Sequence, residues 1–137
     1  RIAEQPMKLD ECVTGIHMAQ RIVADRGAEI CCLKISNLGG LSKARRVRDY
    51  LVDNRIAVVA EDTWGGEIAS TTLSHFAAST PAEYLQNSTD LMNYVTRSTG
   101  IGGAYAKDGL LFAPDSPGLG VKPDFESLGD PVAQWHL

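Results

Sequence analysis

Three short groups of ionisable residues carry types and positions that can do chemistry: Asp10-Glu11, Lys34 and Glu61-Asp62. Each closes an apolar stretch. Lys34 follows Ile30, Cys31, Cys32 and Leu33, with Ile35 beyond it, an almost unbroken apolar run. A lysine there is costly to bury unless it faces a polar site. Carboxylates gathered beside it at one rim suit a hard cation such as Mg²⁺, which takes oxygen ligands in near-octahedral geometry. A lysine beside a dication has its pKa pushed down and can act as a base near neutral pH. A plainer reading stays open. Carboxylates at strand ends also cap a following helix through its free N–H groups and dipole, and Lys34 can simply pair with one of them.

The elements that must position these groups follow from the apolar pattern. Met7-Lys8-Leu9 reads as a short strand entered by Pro6 and ending on Asp10-Glu11. Thr14 to Arg26 reads as a helix, with Thr14 as N-cap, Gly27 as the residue ending it, and Ile16, Ala19, Ile22 or Val23, and Ala24 inward. Ile30 to Ile35 is a second strand, buried on both faces as in a parallel sheet. Gly39-Gly40 then turns into a helix over Leu41 to Asn54 with an apolar stripe of Ala44, Val47 and Leu51 beside Tyr50. Its basic residues Lys43, Arg45, Arg46 and Arg48 read as a solvated face. Ile56 to Ala60 is a third strand, Trp64-Gly65-Gly66 a loop, and Glu67 to Ser79 a helix with Ile68, Leu73, Phe76 and Ala77 inward. Glu83 to Gln86 is a fourth, short strand. Strands separated by helices argue parallel βα units, and in that architecture function collects at the C-terminal strand ends.

The texture changes after Ser88. Asn93 to Thr99 is polar and gives no clear element. Tyr105-Ala106-Lys107 and Leu110-Leu111-Phe112 read as a hairpin, because Asp108-Gly109 between them favours a type I′ turn. A turn-rich segment, Asp115 to Gly120, and an extended tail towards Trp135 follow, together reading as a cap across the βα part. The expected division is residues 1–88 for the βα units and 89–137 for the capping segment.

The 137 residues suffice for one domain with a sizeable core, and 44% hydrophobic with 22% charged residues is a soluble globular composition. A net charge of −4 argues against a nucleic-acid binder. No apolar run approaches the roughly 18 residues that span a membrane. No signal-peptide pattern opens the chain, which starts on Arg1 and not Met, so a fragment or processed product is expected. Three cysteines make no disulfide framework and fit a reducing, cytoplasmic setting; Cys31 and Cys32 read as small core residues. His17 and His75 within helices, and His136 in the tail, read as structural. Zinc spacing, a Gly-rich phosphate loop and a G-x-S-x-G elbow are missing.

Four segments, LDE at Leu9–Glu11, LKISNLGG at Leu33–Gly40, EDTWGGEI at Glu61–Ile68 and SPGLGV at Ser116–Val121, occur in an order and spacing that resembles the C-terminal half of the enolase superfamily. The subgroup resembled contains mandelate racemase and muconate-lactonizing enzyme. The resemblance implies an α/β fold, the C-terminal half of a (β/α)8-type barrel supplying its fifth to eighth strands, plus the C-terminal part of a capping domain. It implies that Asp10 is a metal carboxylate, that Lys34 is an acid/base lysine, and that Glu11, Glu61, Asp62 and Trp64 line the substrate pocket. It also implies Mg²⁺-assisted removal of the proton α to a carboxylate, giving an enediolate. The Asp-Thr-Trp-Gly-Gly stretch with STDLMNYVT (Ser88–Thr96) is most similar to enzymes acting on proline derivatives. Dehydration of cis-3-hydroxy-L-proline is then the expected reaction, with epimerisation of proline or proline-betaine derivatives as the alternative. Asp62 would pair with a cationic ring nitrogen and the Trp64 face would stack on it.

The superfamily pattern requires two further carboxylates and a second lysine from earlier strands, which these residues do not contain. The chain alone is therefore expected to be inactive, and the full-length protein is expected to be a homo-oligomer acting on a small amino-acid-like carboxylate. A reading from another class remains: a non-catalytic half-barrel serving binding or assembly. Lys34 separates the two. In the enzyme its amine lies at the rim near Asp10; in the module it is exposed or tied to a distant charge.

Overall fold

The computed structural model describes residues 4–135, so Arg1 and His136 lie outside the described residues. Four parallel strands, β1 (Lys8–Leu9), β2 (Ile30–Lys34), β3 (Ala57–Glu61) and β4 (Leu85–Ser88), form one sheet in chain order. Helices α1 (Ile16–Asp25), α3 (Leu41–Asp53) and α4 (Glu67–Ala78) connect them, and the short helix α2 (Ile35–Leu38) follows β2 directly. Side chains alternate across a strand. Cys31, Leu33, Val58 and Ala60 point to the helix layer, where they join Ala19, Ile22, Ala44, Val47, Leu51, Leu73 and Phe76 in one core cluster. Cys32, Lys34, Val59 and Glu61 alternate with them and share the other face. The register places Lys34 opposite Glu61, so the β2 and β3 ends are level, while β1 ends at Leu9 opposite Cys31 and hands on to Asp10 and Glu11 beside them.

Several local expectations need correction. Ile35 does not extend β2; it opens α2, whose turn ends on Gly39 (φ 79°) before Gly40 (φ 110°). Thr14 does not cap α1. Asp10 to Thr14 is occupied by tight turns, Val13 N–H to the Asp10 carbonyl at 2.9 Å and Thr14 N–H to the Cys12 carbonyl at 3.0 Å, so the helix starts at Ile16 behind Gly15 with no side-chain cap. At its other end the left-handed residue is Arg26 (φ 50°), not Gly27, whose N–H bonds the Ile22 carbonyl at 2.9 Å. Ile22 is buried ahead of Val23, and Ala24 faces solvent. β4 lies two residues later than its expected start.

Two further corrections concern the polar surface of helices. Arg48 is buried against α4, its guanidinium 5.4 Å over the Phe76 ring, donating to Ser79 Oγ at 2.7 Å and to Asp49 at 2.7 and 2.9 Å. It therefore leaves the solvated basic face assigned to it. On α4, Ile68 is exposed while Ser70 and Thr71 are fully buried, because α4 docks the C-terminal segment through its polar groups. The Glu67 carboxylate accepts from Thr99 N–H (2.9 Å) and Thr99 Oγ1 (3.1 Å), Ser70 Oγ accepts from Met92 N–H (2.8 Å), and Thr71 Oγ1 accepts from Ala104 N–H (2.9 Å). His75 Nε2 lies 3.1 Å from the Leu119 carbonyl.

The docked segment holds a 3-10 turn at Leu91–Tyr94 and an antiparallel pair, β5 (Gly100–Gly102) with β8 (Val121–Pro123). A hairpin of β6 (Tyr105–Lys107) and β7 (Leu110–Phe112) lies between them, and α5 (Phe125–Leu128) ends the segment. The hairpin turn is type I′ as expected, with positive φ at both Asp108 (51°) and Gly109 (78°). Tyr105 and Phe112 stack across it at 5.0 Å. Among the described residues, no helix is long and apolar enough to cross a membrane.

Candidate functional site at the strand ends

β2 delivers Lys34 to the rim as its last residue. The side chain is 10% exposed, and its ammonium lies 3.1 Å from Asp10 Oδ1 and in closer contact with Glu11 Oε1. The hydrogen bond to Glu11 is the largest influence on the ammonium and stabilises it; burial opposes this, and Asp10 adds to it. The net effect holds the lysine pKa above its ordinary value, so without a further cation it is an ion-paired ammonium and not the poised base expected beside a dication. Asp10 Oδ1 is itself buried, with the Lys34 ammonium at 3.1 Å as its ion-pair partner.

α2 ties the neighbouring strand ends to β2. Its Ser36 N–H donates to Asp62 Oδ1 at 3.1 Å, Ser36 Oγ meets Thr63 Oγ1 at 3.3 Å, and Asn37 Nδ2 donates to Glu11 Oε2 at 3.3 Å. Asp62 therefore does take backbone donors, from Ser36 and from Thr63 (2.8 Å), but it serves the short helix after β2, not the helix after its own strand.

Glu61, opposite Lys34 in register, turns downward and accepts from the Cys32 thiol at 2.6 Å. Ligand-type atoms of Asp10, Cys32 and Glu61 all lie within 4.8 Å of one another. Burial, then the Glu61 hydrogen bond, keeps the Cys32 thiol protonated well above its ordinary range. Burial also lifts Cys31, on the helix-facing side, to about 11.

Asp10, Glu11, Lys34 and Glu61 are thus brought together, with Asp62 one loop away. Trp64 stands further out, 71% exposed, its ring edge-on to Tyr94 at 5.9 Å and 82°. Cys32, Asn37 and Tyr94 escaped the sequence reading. Cys32 carries a usable signal, since two residues before Lys34 on a strand it must share the lysine's face; Asn37 and Tyr94 carry none.

The model of the enolase C-terminal domain-like family matches residues 1–128. The chain is 38% identical over 130 residues to a cis-3-hydroxy-L-proline dehydratase of Roseibium aggregatum, covering 95% of this chain and 35% of that protein. It is 77% identical, with a TM-score of 0.96, to the crystal structure of a mandelate racemase/muconate lactonizing enzyme from Roseovarius nubinhibens, covering 100% of this chain and 37% of that one. A magnesium-complexed enolase-superfamily member from Roseovarius nubinhibens is similar at 36% identity and a TM-score of 0.91, over 96% of this chain and 36% of its own. The chain spans little more than a third of these relatives. Both the matched residues and the parallel βα sheet, which corresponds to part of their barrel, say that this chain belongs to the enolase C-terminal domain-like family.

Proposed function

We propose that these residues supply one side of the active site of a Mg²⁺-dependent enzyme that removes the proton α to a carboxylate and dehydrates cis-3-hydroxy-L-proline to a pyrroline-2-carboxylate. Residues 1–88 are the half-barrel in this reading and 89–137 the capping segment. The observation that carries it is Lys34, buried at the strand-end rim 3.1 Å from Asp10 and held by Glu11. A binding or assembly module is expected to leave the amine exposed or tied to a distant charge, and Lys34 is neither. The similarity to the Roseibium aggregatum dehydratase supports the substrate.

Asp10 fits a hard cation. It offers a buried carboxylate oxygen already paired with one positive charge, the Lys34 ammonium at 3.1 Å. Glu61 is a second oxygen donor nearby, while the protonated Cys32 thiol is unsuited to Mg²⁺. A bound Mg²⁺ supplies concentrated positive charge beside the substrate carboxylate and beside Lys34. Lys34 as free amine would take the α-proton at Nζ; as the C3–O bond breaks, the 3-hydroxyl group on the opposite ring face would take a proton from the second lysine, which lies outside these residues, and depart as water. Glu11, anchored by Asn37, orients the lysine and holds its proton afterwards. Asp62 and Trp64 face the ring nitrogen. The remaining carboxylates and the second lysine come from outside these 137 residues, which alone are incomplete.

The test is product analysis of the full-length protein that contains these 137 residues, incubated with cis-3-hydroxy-L-proline and Mg²⁺. Loss of water with formation of the pyrroline carboxylate is expected. Configurational inversion of proline derivatives without loss of water would assign an epimerase instead, and neither product would refute the reading.

A further inference from the structure

Cys32 is 1% exposed, yet it lies outside the helix-side core that holds Cys31 and Leu33. It points to the barrel side of the sheet, one strand repeat below Lys34. Val59 is its register partner, and Glu61, two residues further along β3, shares that face. Glu61 has two possible partners there. The Lys34 ammonium stands opposite it in register, and a carboxylate beside an ammonium would ordinarily pair with it. Instead the Glu61 carboxylate is turned down to the Cys32 thiol, and Lys34 is left to Asp10 and Glu11.

We propose that Cys32 is a positioning residue of this site: its thiol holds Glu61 away from Lys34 and fixes the carboxylate towards Asp10, where it meets the substrate. This rests on the function proposed above for the rim, but the hydrogen bond itself does not. The thiol is the donor of this hydrogen bond, and the carboxylate of Glu61 is its acceptor. Without the thiol, Glu61 is free to swing to Lys34 as a third carboxylate on one ammonium. A small apolar residue would fill the space at Cys32 but could not prevent this.

The first readout needs no activity. In the full chain, the infrared S–H stretching band lost in Cys32→Ser identifies Cys32. That band should lie below those of Cys12 and Cys31, and it should move up in Glu61→Gln as the acceptor loses its charge. A Cys32 band unmoved by Glu61→Gln overturns the proposal. The second readout is kinetic. Cys32→Ala should raise KM for cis-3-hydroxy-L-proline about tenfold, the scale of one lost hydrogen bond to a charged group, with kcat changed far less. Cys32→Ser, which keeps a donor, should recover most of that loss. The Cys32→Ala/Glu61→Gln double variant should be no worse than Glu61→Gln, because the two act as a unit. Additive losses, or no rescue by serine, would show that Cys32 merely fills space. If the unaltered protein turns over no hydroxyproline, the proposed function fails while the infrared band still decides the role of Cys32.

Discussion

Lys34 and Glu61 face each other across β2 and β3 yet bond in different directions, Lys34 across to Glu11 and Asp10 after β1, Glu61 back to Cys32. That divergence sets the character of the rim. One ammonium is shared by two carboxylates of the neighbouring β1 end, and a third carboxylate is kept available.

Removing the charge of Glu11 tests the first half of this arrangement. The Lys34 pKa is raised above its unfolded value, chiefly by Glu11. Its contribution to stability is therefore complete below the ordinary lysine value of about 10.4 and is lost as pH rises through the higher folded value. Glu11→Gln should lower the Lys34 titration and shrink that alkaline loss of stability. NMR titration of the lysine ammonium in the metal-free protein reads it directly, and an unchanged titration contradicts the pairing.

Glu67 makes the opposite prediction in acid. Burial works to raise its pKa, but the Thr99 N–H and further hydrogen bonds from Ser98 and Thr99 outweigh it and hold the carboxyl below its ordinary value. Its stabilising effect is present in full above the unfolded carboxyl value of about 4.3 and is lost as pH falls through the lower folded one. Glu67→Gln should cost about 1–2 kcal/mol at neutral pH and much less at pH near 3, because it removes charged hydrogen bonds that pin Thr99 to α4. Urea unfolding at the two pH values measures the difference, and equal losses would remove Glu67 from this role.

Arg48→Met retains the apolar stem but loses the donors to Ser79 and Asp49. A loss of about 1–2 kcal/mol is expected, against under about 0.5 kcal/mol for Arg45→Met on the exposed side of the same helix. Thermal midpoints of the two variants compare them; equal midpoints would place Arg48 on the solvated face after all.

Gly103 and Gly109 both have positive φ, 96° and 78°, but differ in surroundings. A methyl at Gly103 would press on the Thr71 hydroxyl and come within 3.0 Å of Val121 Cβ, whereas one at Gly109 meets nothing. Gly109→Ala should cost about 1 kcal/mol for the left-handed backbone alone. Gly103→Ala should cost clearly more and weaken the Thr71 to Ala104 hydrogen bond. Protection of the Ala104 amide against hydrogen exchange separates them, and comparable protection in both would contradict the close packing.

Much of this was legible because the apolar runs and their closing charges are local signals. The strand carrying Lys34, the turn at Asp108-Gly109 and the convergence of Asp10, Lys34 and Glu61 at one rim follow from them. The rest depended on tertiary choices that periodicity does not encode. Ile35 continues an apolar run but opens a helix, since its side chain fills the same core from either backbone. Arg48 reads as one charge among four until Phe76 and Ser79 arrive from another helix. Ser70 and Thr71 on α4 carry no apolar signal, and their partners, Met92 and Ala104, lie far along the chain. Cys32 reads as a core residue, and its burial bears that out; only the neighbouring strand supplies the carboxylate that gives its thiol a task.

The most direct test of the account is exchange of the α-proton of cis-3-hydroxy-L-proline in deuterated water, comparing the full-length protein that contains these residues with its Lys34→Ala variant in the presence of Mg²⁺. The account predicts that exchange falls by at least about a hundredfold, the scale of a lost general base, while the thermal midpoint shows the variant folded. Exchange retained at the unaltered rate in a folded Lys34→Ala protein would contradict it.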